Sequence, residues 1–264
     1  MGQSEFVDCI RPLGERLKHY DPKRSPTDQP DNDAIYETDP ARAVPEAFID
    51  AMIVREEVYV KEQNVPLENE LDEDDPRSFH WVAYASIPAK ANTNGNGERK
   101  SSNSTKIPIG TIRLVPPPHA PHPTPSGSDS PQSTHDEPIK EPYIKLGRLA
   151  VIKEFRKAGI SKLLIDTALN FAREHPYEVG PQLDPAQMEA LKKGLGVSFK
   201  GLVLIHAQTG VQKLWKKYGF ETDESMGEWD EEGIPHVAMW KRMDVSDARR
   251  KSKIWMGGPG PMSS

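Results

Sequence analysis

Apolar residues along this chain fall into blocks whose spacing alternates between helical and strand periods, and most blocks end at a glycine or proline. From Pro45 to Lys61 (PEAFIDAMIVREEVYVK), Phe48, Met52 and Val58 sit at helical intervals, and Pro45 suits a first turn, so a helix is predicted there. Two strand-like runs follow, FHWVAYAS at 79–86 and IPIGTIRLV at 107–115, and a third, YIKLGRLAV, lies at 143–151. From Ala158 to Glu174, Ile160, Leu163, Leu164, Thr167, Ala168 and Phe171 mark one face of a helix. A short helix is predicted from Pro185 to Lys193, with Asp184 as its N-cap and Gly194 as its stop. GLVLIHAQ at 201–208 reads as a buried strand, Gly210 to Tyr218 as a short helix closed by Gly219. The runs 220–228 and 233–243 should pair across the turn-prone DEEG. Strands before, between and after helices predict a mixed α/β (α+β) sheet with a crossover, not a bundle or a sandwich.

Two segments break this pattern. Residues 88–106 read PAKANTNGNGERKSSNSTK, and residues 116–142 read PPPHAPHPTPSGSDSPQSTHDEPIKEP, with nine of the 25 prolines in the second. Neither holds enough apolar surface to offset the entropy of ordering, so both are expected to be mobile inserts, His119, His122 and His135 included. They lower the apolar share to 36%, below the roughly 45–50% of globular chains. No stretch reaches the roughly 20 apolar residues of a membrane span, and the start MGQSEFVDCI resembles no signal peptide. A soluble chain is expected, cytoplasmic with the nucleus also open, without membrane or nucleic-acid partners, because a net charge of −6 opposes phosphate binding. One cysteine, Cys9, excludes an internal disulfide and a multi-cysteine zinc site, and no metal is expected.

The stretch richest in chemistry is LGRLAVIKEFRKAGISKLL, 146–164, where a strand runs through a loop into a helix. A helix N-terminus presents unpaired amides and the positive end of its dipole, which suits a phosphate. Gly159 lets a ligand approach the backbone, and Arg156 and Lys157 add positive charge. These residues alone fit a phosphate cradle or a tight strand-to-helix turn.

This run resembles the acetyl-CoA signature R/Q-x-x-G-x-G/A of the GNAT superfamily of N-acetyltransferases, matched at Arg156 and Gly159, with Ser161 in place of the last Gly or Ala. HAQTGVQKLWKKYGF (206–220) is similar to the superfamily's second cofactor element. VREEVYVKEQNVPLENELDEDD (54–75), FHWVAY and EEGIPHVAM (231–239) are similar to the ElaA-like branch, here as a fungal-type member with low-complexity inserts. The resemblance implies the GNAT fold, a mixed, mostly antiparallel central sheet of about six or seven strands, splayed at its middle and with helices on both faces. It divides the chain into an N-terminal extension (1–32), the acetyltransferase domain (33–243, carrying the two inserts) and a tail (244–264).

The resemblance also implies a cofactor, acetyl-CoA, with CoA as product. Leu149, Ala150 and Val151 would pair with the pantetheine arm, and Arg156, Lys157, Ala158, Gly159, Ile160, Ser161 and Lys162 would hold the pyrophosphate. Gln208 and Trp215 would line the donor site. The implied reaction transfers acetyl to a primary amine of a small molecule by direct attack within a ternary complex. Acetylation of a protein or peptide, or acyl-CoA binding without turnover, are the alternatives. The Val151 amide would polarise the thioester carbonyl. Tyr218 is either the proton donor or a core residue, and His236 either relays a proton or is a hydrogen-bonded strand histidine. Glu62 is the candidate base. Glu62, Gln63, Glu70, Asp72 and His236 are the candidate acceptor-binding residues, in an acidic loop that either attracts a cationic amine or is simply solvated. A monomer and a homodimer are both open.

Overall fold

The computed structural model describes residues 7–87, 105–121, 141–192 and 198–245. The chain divides into two compact units, Met1–Arg113 with Arg148–Asp166, and Leu114–Gly147 with Thr167–Ser264. Most of the 88–106 and 116–142 inserts, Gly194 and most of the tail lie outside the described residues.

In the first unit, β1 (Val7–Ile10) runs antiparallel to β2 (Phe79–Ile87), pairing Val7 with Ala83 and Ile10 with His80. The next strands are β3 (Thr105–Val115) and then β4 (Tyr143–Val151), whose last four residues belong to this unit. Residues 1–32, expected only as an extension, thus contribute a strand. They also contribute Leu13, Leu17 and Tyr20, which pack with Phe48, Ala51, Met52 and Val82 in one apolar cluster. A helix α1 (Pro30–Thr38) precedes α2 (Glu46–Arg55), where Pro45 stands one residue earlier than expected, as the cap. The predicted helix does run to its expected end, but Glu56–Glu62 widens into a π-helical segment that closes at Asn64, φ 61°.

In the second unit, Tyr143–Leu146 of β4 pair in parallel with Leu202–Ile205 of β5 (Leu202–Gln208). β5 pairs along its whole length, antiparallel, with β8 (Ile234–Arg242), from Leu202 opposite Arg242 to Gln208 opposite His236. β6 (Glu221–Thr222) and β7 (Glu228–Glu231) also pair antiparallel with β8. The hairpin expected across DEEG forms: Glu232 and Gly233 take φ 54° and 78°, the turn that matches strand twist. The run 220–228 divides between β6 and β7. With β1 this makes eight described strands where six or seven were expected.

α3 (Ile160–Glu174) begins in the first unit and ends in the second. α4 (Pro185–Lys192) has the expected cap: the Gln187 amide donates to Asp184 Oδ1 at 2.8 Å, and the Asp184 amide to Gln187 Oε1 at 3.0 Å. α5 (Gln212–Lys217) is shorter than predicted, its first residues forming a single 3-10 turn. His119, expected in a mobile insert, stacks on Tyr143 at 4.4 Å, with its Nε2 2.8 Å from the Tyr143 carbonyl. Among the described residues, no helix is long and apolar enough to cross a membrane.

Candidate active site

The strand-to-helix junction lies in the first unit. Arg148, two residues beyond the end of the β4/β5 ladder, takes φ 49°, a left-handed step inside a strand. Past it, the Ile152 amide donates to Ile109 on β3 at 2.9 Å. Successive amides of a strand point to opposite edges, so the Val151 N–H points to the edge away from β3. The loop then makes one 3-10 turn (Lys153–Phe155) and reaches Gly159 through Lys157 at φ 69°. Gly159 is exposed at φ 83°. The first backward bond of α3 runs from the Leu163 amide to the Gly159 carbonyl at 3.0 Å. The amides of Ile160, Ser161 and Lys162 therefore precede any acceptor within the helix.

Arg156 does not face solvent as a free cation. Its Nε donates to the Val151 carbonyl at 2.9 Å, and its Nη2 to both oxygens of Glu62, at 2.8 and 2.7 Å. Glu62, the candidate base, is thus tied to the loop. Lys157 is exposed beside it. Lys162 is ion-paired with Asp166.

The acidic loop is turned inward more than the sequence indicates. Glu70, 2% exposed, accepts from Arg55 Nε at 3.2 Å. Asp75, fully buried, accepts from Arg55 Nη1 and Nη2 at 2.8 and 3.3 Å, and its Oδ1 lies 2.9 Å from Arg113 Nη1. Asp72 accepts from Arg113 Nη1 at 2.6 Å and Arg148 Nη2 at 3.0 Å. Burial disfavours charge on Asp72 and Asp75. Arg113 and Arg148 on Asp72, and Arg55 and Arg113 on Asp75, nevertheless hold both carboxyls below the usual range. Glu70 is spent on Arg55 instead of facing an amine, because α2 and β3 each bring a guanidinium into the interior. Gln63 is half-buried at the end of the π segment. His80 is buried edge-on to Phe48 at 5.1 Å, and burial pushes it down to about 4 despite Asp75.

In the second unit, His236 faces Gln208 on β5 and Trp229 on β7. Its Nδ1 lies 2.8 Å from the Ile234 carbonyl, which can only accept, so Nδ1 carries the proton and Nε2 is the basic nitrogen. Nε2 is 3.9 Å from Glu231 Oε2. Glu231 Oε1 accepts from Trp229 Nε1 at 2.7 Å and lies 3.3 Å from His206 Nδ1. Burial opposes the Glu231 charge, but these two neighbours and His236 outweigh it and hold the carboxyl down at about 2. Burial pushes His206 down. Trp215 is buried edge-on to Phe220 at 5.2 Å. Tyr218, half-buried, caps α5, and its carbonyl accepts from Lys241. Sequence reasoning missed Glu231, whose signal was the carboxylate pair before the hairpin turn that leads into His236. It also missed Arg55, Arg113 and Arg148, for which no local pattern existed.

Residues 50–196, more than half of the chain, match the model of the Acetyltransferase (GNAT) family. The chain belongs to that family. This acetyltransferase is 29% identical over 196 residues to the uncharacterized N-acetyltransferase YjcF of Bacillus subtilis (strain 168), covering 74% of its own length and 93% of that protein's. It is similar to the crystal structure of ElaA from Escherichia coli, at 16% identity and TM-score 0.44, covering 75% of this chain and 93% of that one. It is also similar to an acyl-CoA N-acyltransferase from Pseudomonas aeruginosa, at 19% identity and TM-score 0.40, covering 74% and 89%.

Acetyl-CoA is the acyl donor of this family, and the acetyltransferase has residues that fit it. The turn of Lys157 to Lys162 offers amides at a helix start and two exposed lysines, of which Lys162 is paired with Asp166. A Cβ built at Gly159 would meet no protein atom within 4 Å, so that surface is open to a diphosphate. Among the described residues, no group of three or more His, Cys, Asp or Glu could hold a metal.

Proposed function

We propose that this acetyltransferase moves acetyl from acetyl-CoA to a primary amine of a small molecule by direct attack in a ternary complex. The donor supplies an acyl group activated as a thioester. The observation that carries the reading is the junction of β4 with α3, where the Val151 N–H leaves the β3 edge just before an exposed turn rich in amides. In the first unit, the backbone of Leu149, Ala150 and Val151 pairs with the pantetheine arm, and the Val151 N–H donates to the thioester carbonyl. Lys157 and the amides from Gly159 to Lys162 hold the pyrophosphate.

In the second unit, His236 takes the proton through Nε2, because Nδ1–H is committed to the Ile234 carbonyl and Nε2 stands 3.9 Å from Glu231 Oε2. Gln208 is the partner of His236 across the β5/β8 ladder. Glu62 holds Arg156 in place. A covalent acyl-cysteine is disfavoured. Cys9 lies on β1, three strand spacings from β4 in the first unit, about 14 Å.

The test is a thiol-release assay with acetyl-CoA and a panel of polyamines, amino sugars and arylamines, with mass spectrometry of the products. An acetylated amine and free CoA in equal amounts are expected. Donor binding with no CoA released from any amine would favour a silent binding module, and acetylated peptides alone would make the acceptor a protein.

A further inference from the structure

The left-handed step in β4 is made by an arginine, not a glycine. An L-residue with a Cβ resists φ near +50°, so something outside the local backbone must hold Arg148 at φ 49°. The restraint is on its side chain: Nη2 donates to Asp72 Oδ2 at 3.0 Å, and Nε stands 3.9 Å from Glu70 Oε2. Asp72 is itself immobilised. Its other oxygen accepts from Arg113 Nη1 at 2.6 Å and from the Asp74 amide at 2.9 Å. Its own amide donates to Asp75 Oδ2 at 2.9 Å, and Asp75 is buried on Arg55 and Arg113. Arg148 and Asp72 are about one-third exposed, while Arg113 and Asp75 behind them are buried. The loop 70–75 is therefore a fixed platform, with Asp72 hydrogen-bonded to the bulge residue and Glu70 at ion-pair distance from it.

We propose that Asp72 is a positioning residue for the donor site: through Arg148 it holds the bulge from which Leu149–Val151 run on, and so it sets acetyl-CoA affinity without touching the donor. This rests on the reading of Leu149–Val151 as the strand that receives the donor. It gives Asp72 a role other than attracting the acceptor amine.

Glycine tests it, because glycine takes φ +49° without restraint. CoA affinity is measured by isothermal titration for the wild type, Asp72→Asn, Arg148→Ala, Arg148→Gly and the double variant Asp72→Asn/Arg148→Gly, with circular dichroism to check folding. Asp72→Asn and Arg148→Ala should each weaken CoA about tenfold, the loss expected when a charged hydrogen bond no longer fixes the bulge. Arg148→Gly should recover most of that loss, and adding Asp72→Asn to it should change affinity less than twofold. Equal losses for Arg148→Ala and Arg148→Gly would overturn the proposal, as would a full Asp72→Asn effect in the Gly background. If Asp72→Asn fails to fold, the Ala-to-Gly comparison decides alone. A wild-type protein that gives no heat with CoA would overturn the donor site itself. Normal wild-type binding that ignores all four variants would overturn only the latch.

Discussion

Replacing Gly159 with alanine separates the strain of the turn from its service to a ligand. At φ 83° an alanine costs roughly 1–2 kcal/mol in backbone conformation. No steric cost adds to this, because the new Cβ meets nothing within 4 Å. Chains of this size lose about 2–4 °C per kcal/mol, so Gly159→Ala should lower the thermal midpoint by about 2–8 °C. The effect on CoA should be larger than that strain implies, since the Cβ occupies the surface a diphosphate must approach. Losing one hydrogen bond to a charged oxygen costs roughly 1.5–3 kcal/mol, so affinity should fall tenfold or more. Differential scanning fluorimetry gives the first quantity and isothermal titration with CoA the second. A midpoint lowered as expected with CoA affinity unchanged would refute the assignment of this turn to the pyrophosphate.

Four further outcomes are expected. His236→Gln should lower kcat about 100-fold, with CoA affinity within twofold; an unchanged kcat would end its role in proton transfer. Glu62→Gln removes a half-exposed ion pair to Arg156, so unfolding free energy should drop by no more than about 1 kcal/mol and kcat should stay within a few-fold. A 100-fold loss would make Glu62 the base. His80 has its folded pKa depressed to about 4, below the unfolded value of about 6.5. The unfolded chain therefore binds more protons between those values, and stability is complete above pH 6.5 and lost as pH falls toward 4. Urea unfolding at several pH values should show this slope, and His80→Gln should flatten it. Arg55→Met leaves Glu70 and Asp75 buried without their shared partner; it should cost about 3–5 kcal/mol, read from the denaturant midpoint, and a loss under 1 kcal/mol would show that the remaining arginines suffice.

The parts legible in the sequence are those set by neighbours in the chain. β4 keeps its predicted limits because its apolar run starts just after Pro142 and stops where Lys153 and Glu154 begin the loop. The Asp184–Gln187 cap and the β7/β8 turn need only three or four consecutive residues. What was not legible depends on distant partners. The positive φ of Arg148 is held by a carboxylate 76 positions away, and the inward turn of Glu70 and Asp75 needs a guanidinium from α2. β1 is four residues long, too short for its period to show, and it is a strand only because β2 pairs with it. At the candidate site, the Gly159 turn was visible as a motif. The pairing of Arg156 with Glu62 was not, since charge alone does not say which carboxylate an arginine meets.

The most direct test is amide hydrogen exchange with and without CoA. Protection should concentrate at Val151 and from Lys157 to Lys162, with the β1/β2 pair unchanged. Exchange at those amides that CoA leaves unaltered, while the ligand is demonstrably bound, would contradict the assignment of the donor to this junction.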